Sequence, residues 1–124
     1  MAKHIVVVDD DKEVREIVTF VLTHNGFAVE AASNDRQLEN LLAVQLPDLI
    51  ILDVMMPGLD GYSLFGRLQS KPETRHIPVI IITGHAEDIY QRISVDLGVA
   101  QHITKPFHPL ELVEKVKTLL HLSS

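Results

Sequence analysis

Five short apolar runs, each followed by a stretch with helical spacing, constrain this chain more than anything else in it. Ile5-Val6-Val7-Val8 is β-branched and uninterrupted, which suits a strand covered on both faces. Val14, Ile17, Val18, Val21 and Leu22 follow at i, i+3, i+4, i+7 and i+8, one stripe of a helix that stops near Asn25-Gly26. Phe27 to Ala31 reads as a shorter second strand, and Ser33-Asn34 can cap a helix carrying Leu38, Leu41 and Leu42. Pro47-Asp48 introduces a third strand, Leu49–Leu52; the helix after Gly61 turns Leu64, Phe65 and Leu68 inward and ends by Lys71-Pro72. Pro78–Ile82 is a fourth strand, and a weaker helix around Glu87–Leu97 is marked by Ile89, Ile93 and Leu97. Ala100–Thr104 is a short fifth strand. Pro109 suits the first turn of a last helix, whose stripe is Leu110, Val113, Val116, Leu119 and Leu120.

Strands that alternate with helices predict an α/β fold, a parallel sheet joined by right-handed crossovers. Five such units suit the flavodoxin-like order 2-1-3-4-5 with five helices shared between both faces, although periodicity does not itself fix the order. No linker or repeat interrupts the pattern, so residues 1–124 are expected to form one domain. With 46% hydrophobic and 23% charged residues, disorder is not a serious reading. The net charge of −6 and the lack of a Lys/Arg run argue against nucleic acid and anionic membrane as partners. The chain has no cysteine, which excludes disulfides and thiolate metal sites. Met1-Ala2-Lys3-His4 leads straight into a strand without a signal-peptide pattern, and no apolar run approaches a membrane span. A soluble, cytoplasmic protein is the expectation.

In open α/β sheets ligands bind beyond the carboxyl ends of the strands, so the last residues of each strand carry the argument. Strand one ends in Asp9-Asp10-Asp11, strand three in Asp53, strand four in Thr83, and Lys105-Pro106 follows strand five. Carboxylates gathered on one rim repel one another unless a cation sits among them. With only hard oxygen donors on offer, Mg2+ is the natural ion. A lysine ammonium and a threonine hydroxyl then fit a phosphoryl group, and a carboxylate is an established nucleophile in forming aspartyl phosphates. Taken singly, each residue has a blander reading. Asp10 with Glu13, or Asp11, can cap a helix; Asp53 can form a turn; Lys105 can be a solvated lysine. Four such residues at the ends of four strands outweigh those readings.

The stretches VVVDDD (6–11), LIILDVMMPGLDG (49–61), VIIITG (79–84) and ITKPF (103–107) resemble the receiver domain of two-component response regulators. The resemblance spans essentially the whole chain, with the motifs in the family's order and spacing. It implies that Asp53 is the phosphoacceptor and that Asp9, Asp10, Asp53 and the backbone carbonyl of Met55 hold Mg2+. Thr83 and Lys105 would each meet a phosphoryl oxygen, and Lys105-Pro106 would be a cis peptide. The implied donor is a sensor histidine kinase or a phosphotransfer protein. The implied output is a partner domain or protein, read through the face made by the fourth helix, fifth strand and fifth helix (the family's α4-β5-α5 face). Phosphorylation-dependent dimerisation through that face is among the outcomes the resemblance allows.

One position departs from the family pattern. Three residues before Lys105, where the family usually has Tyr or Phe, stands His102. An imidazole can still swing inward as a switch residue, but burying it costs more when it is charged. Switching is therefore expected to weaken near or below pH 6.5, the ordinary imidazole value. Two alternatives fare worse. A Mg2+-dependent phosphohydrolase working through an aspartyl phosphate, of the haloacid-dehalogenase type, places a second acid where this chain has Met55. A dinucleotide-binding module needs a Gly-rich turn after strand one, where this chain has three aspartates.

Overall fold

The computed structural model describes residues 2–53, 55–56, 59–83 and 101–122. Five strands form one sheet: β1 (His4–Val8), β2 (Ala28–Ala32), β3 (Leu49–Asp53), β4 (Val79–Thr83) and β5 (Gln101–Thr104). All neighbours run parallel, in the order β2-β1-β3-β4-β5. This is the flavodoxin-like arrangement expected from the alternating pattern. Four helices are described: α1 (Lys12–His24), α2 (Asp35–Val44), α3 (Gly61–Ser70) and α4 (Pro109–Leu119). The helix expected around Glu87–Leu97 lies outside the described residues. Among those described, no helix is long and apolar enough to cross a membrane.

Alternation along each strand separates two apolar layers. Val6, Val8, Ile50 and Leu52 face α2 and α3, where they meet Leu38, Leu64, Phe65 and Leu68. Ile5, Val7, Ile51, Ile80 and Ile82 face α1 and α4, where they meet Val18, Leu22, Leu112, Val113 and Val116. Because both faces are covered, β1 and β3 are buried along their whole length, which is why their sequences read as unbroken apolar runs.

Helix ends follow side-chain chemistry. Gly26 sits at φ 91° after α1, and the Phe27 amide donates back to the Leu22 carbonyl at 3.1 Å. That left-handed turn is open to glycine without steric cost. Asn34 caps α2 by accepting from the Gln37 amide at 2.9 Å, while the Gln37 side chain accepts from the Ser33 amide at 2.7 Å. His108 caps α4 through Nδ1, which accepts from the Leu110 amide at 3.1 Å.

Some details correct the sequence reading. Ile17 is 46% exposed and Leu110 is 66% exposed, so neither belongs to the buried stripe of its helix. In α4 the sheet-facing positions are Leu112, Val113 and Val116; Leu110, in the first turn, precedes the part of the helix that lies on the sheet. The second strand starts one residue later than expected, at Ala28. A two-residue antiparallel ladder, Met55–Met56 against Leu59–Asp60, follows β3 and had no periodic signal.

Candidate functional site

Parallel register builds the site. Val8 lies opposite Leu52, so Asp9, one residue past β1, and Asp53, the last residue of β3, emerge side by side at the carboxyl rim. Both are buried, at 1% and 2% exposure, whereas Asp10 is exposed. One carboxylate oxygen from each of Asp9, Asp10 and Asp53 lies within 4.8 Å of the others. Lys105 enters from the far side. Although β4 stands between β5 and β3, the lysine Nζ reaches 3.3 Å from Asp9 Oδ2 and 3.3 Å from Asp53 Oδ2. The Lys105-Pro106 peptide is cis.

Asp9 is fixed at every polar end. Its amide donates to the Ala32 carbonyl at 3.1 Å, and its own carbonyl accepts from Arg15 Nη1 at 2.7 Å. Its Oδ1 accepts from the Asp11 amide at 2.9 Å, and Oδ2 takes the Lys105 ammonium. Asp11 caps α1, accepting from the Glu13 amide at 2.9 Å. The capping role therefore falls to Asp11 rather than Asp10. Helix α1 begins at Lys12, which places Asp11 at the cap and leaves Asp10 outside the helix, free to join Asp9 and Asp53.

Among the described residues, the rim carries more acidic than basic groups. Burial pushes the Asp9 carboxyl up to about 6, and the negative charge of Asp53 adds to the rise, against the opposing pull of the Asp11 amide and Lys105. For Lys105, burial works to lower the pKa, but attraction from Asp53 and Asp9 outweighs it and holds the ammonium above its ordinary value. Among the described residues, one ammonium is thus shared between two buried carboxylates. A hard divalent cation fits the three carboxylates that the described residues gather here.

The other candidates are placed less fully. Thr83 ends β4 and pairs in register with Thr104, the residue before Lys105. Met55 opens the small ladder just past Asp53. His102 lies on β5 opposite Ile81, half-buried, and its buried Nε2 has no hydrogen-bond partner among the described residues. Burial lowers its pKa, and the nearby Lys115 lowers it further. The expected pH window for a charged His102 therefore moves below the ordinary 6.5. Arg15 and Lys115 escaped the sequence reading. Each is one cation on a helix face, and only the fold brings Arg15 onto the Asp9 carbonyl and Lys115 to within 3.3 Å of Gln101 Oε1.

Beside Lys105 runs a groove of about 400 Å³ lined by Val14, Ile17, Lys105, Pro106, Phe107 and Pro109. Ile17, Phe20 and Leu110 are large, exposed apolar residues on the same two helices, α1 and α4.

Comparison with known proteins points in one direction. The family model described as "Response regulator receiver domain" matches residues 5–117. The chain is 39% identical over 120 residues to the regulatory protein VanRc of Enterococcus gallinarum, covering 97% of this chain and 51% of that protein. It is equally 39% identical over 120 residues to the phosphate regulon transcriptional regulatory protein PhoB of Escherichia coli, covering 97% of this chain and 52% of PhoB. The chain therefore spans about half the length of these curated relatives. Among solved structures, the signal receiver domain of a signal transduction histidine kinase from Syntrophus aciditrophicus superposes with a TM-score of 0.87 at 36% identity, covering 97% of this chain and 91% of that one.

Proposed function

The chain belongs to the response regulator receiver domain family, and on that premise we propose that it is a phosphoacceptor signalling switch, one receiver domain over residues 1–124. Asp53 accepts a phosphoryl group from the phosphohistidine of a sensor histidine kinase or a phosphotransfer protein. The observation that carries this reading is the single lysine bridging two buried carboxylates at the ends of adjacent central strands.

Attack by an Asp53 Oδ on phosphorus forms a P–O bond while the donor's P–N bond breaks, and the imidazole leaves with the bonding pair. Burial at the tip of β3 holds the nucleophile still and excludes competing water. As charge builds on the phosphoryl oxygens, Lys105 exchanges a carboxylate partner for one of them. The Thr83 hydroxyl donates to another. Mg2+, held by Asp9, Asp10, Asp53 and the Met55 backbone carbonyl, supplies further charge neutralisation when bound. The donor has to approach beside Asp53, and the apolar groove along Val14, Ile17, Phe107 and Pro109 offers it a surface next to Lys105.

The phosphoryl group adds roughly −1.5 to −2 charges at one point. Thr83 moves toward it, and His102 turns inward behind Thr83 in the place of the family's aromatic residue. The face made by the helix expected around Glu87–Leu97, β5 and α4 is thereby altered for an output domain or protein, or for a second copy of the chain.

Intact mass after incubation with acetyl phosphate or phosphoramidate tests the reading. A single phosphate adduct is expected for the wild type with Mg2+, and none without Mg2+ or in Asp53→Asn. A wild type that binds beryllofluoride yet never forms the adduct would remove the phosphoacceptor role. Repeated turnover of a small phosphate ester would instead identify a phosphohydrolase.

A further inference from the structure

Asp10 is the exposed member of the acidic trio, and a solvated aspartate on a loop normally samples several directions. For three carboxylates to hold one ion, the loop that carries Asp9 and Asp10 has to be fixed before the ion arrives. The Asp9–Asp10 peptide is the critical unit, because its plane sets where the Asp10 Cα stands. Its carbonyl oxygen takes the Arg15 guanidinium at 2.7 Å, in a half-buried position.

Arg15 is well placed for this. Its backbone amide donates to the Asp11 carbonyl at 3.1 Å, the first hydrogen bond of α1, so the side chain starts from a rigid turn. From there the guanidinium doubles back over the loop. Asp11 is tied twice, to Glu13 through its carboxylate and to Asp9 through its amide. The loop is closed from both sides, with Arg15 on the one peptide that Asp11 does not reach. A guanidinium cannot lose its charge in a protein, and its planar set of donors holds a defined direction better than an ammonium does.

We propose that Arg15 is a positioning residue for the metal site: by holding the Asp9 carbonyl it presents Asp9 and Asp10 to the ion in one arrangement. The inference rests on the phosphoacceptor reading. It divides the two cations of the site by task. Lys105 touches the carboxylate oxygens themselves and hands over to the phosphoryl group. Arg15 grips the backbone from behind and stays.

The test compares wild type, Arg15→Gln and Arg15→Lys in the metal-dependent reaction. Mn2+ affinity is read from the free-ion signal in electron paramagnetic resonance, and the phosphorylation rate with phosphoramidate is followed against Mg2+ concentration. Arg15→Gln is expected to weaken Mn2+ binding about tenfold, the usual scale for a residue that orients metal ligands. Its phosphorylation rate at saturating Mg2+ should return to within about threefold of wild type, since the reacting groups are untouched. Arg15→Lys, which keeps the charge but loses the planar donors, should recover only part of the affinity. Unchanged Mn2+ affinity in Arg15→Gln would overturn the proposal, as would full recovery in Arg15→Lys, which would make charge alone sufficient. Failure of the wild type to form any adduct would count against the phosphoacceptor reading instead, while Mn2+ affinity would still report on Arg15.

Discussion

At the scale of single residues, the titration of His102 gives the most direct check. Its pKa is lowered by burial and by Lys115, so the unfolded chain binds that proton at a higher pH than the folded one. The stability contribution is therefore complete above pH 6.5 and is lost as pH falls through the folded-state value. His102→Phe should remove this slope, so that the difference in urea midpoint between wild type and variant stays constant from pH 7.5 to about 6.5 and changes as the pH falls further toward 5. Lys115→Gln should raise the His102 pKa toward its ordinary value, visible in the imidazole proton resonances. If Lys115→Gln leaves those resonances titrating as before, the assigned contribution of Lys115 is wrong. The convergence of Asp9, Asp53 and Lys105 was legible in the sequence because the end of a buried strand is a fixed place, wherever else the chain goes. The choice of Asp11 over Asp10 as the cap was not, because it turns on the one residue at which the chain leaves β1 and begins to wind.

The helices show which local signals survive into the fold. Asn34 was readable as a cap because a side chain that accepts from the third amide does so in any context. Asn34→Ala should cost about 1 kcal/mol in urea unfolding. His108 was not readable as a cap, since an imidazole can accept only when Nδ1 is unprotonated, and here Nδ1 faces the Leu110 amide. Replacing it by aspartate supplies a better acceptor and a negative charge at the helix's positive end. His108→Asp should stabilise the protein by about 0.5–1 kcal/mol at pH 7; a loss of stability would show that the imidazole does something besides capping. Periodicity placed α4 correctly but assigned Leu110 to its buried face in place of Leu112. A stripe reports which positions share a side, and tertiary contact decides how far along the helix the sheet extends.

For the molecule as a whole, the sheet is a partition. Ile50 packs with α2 and α3 while Ile51, its neighbour in sequence, packs with α1 and α4. Ile50→Val and Ile51→Val should each cost about 0.5–1.5 kcal/mol, and the double variant should equal their sum within about 0.5 kcal/mol. Strong coupling in urea unfolding would mean that strain crosses the sheet. The strand order was consistent with the sequence but not dictated by it, because side-chain periodicity says nothing about which strand lies beside which. Lys105 has a consequence of another kind. One side chain joins the acidic pair at the ends of β1 and β3, and the next three residues carry the chain to the cap of α4. Under the function proposed above, a genetic screen that seeks alleles stuck on or stuck off would learn little at position 105, because a lesion there would silence the chemistry together with its readout. Informative alleles have to come from residues with one duty each, and His102 and Arg15 are the places to look.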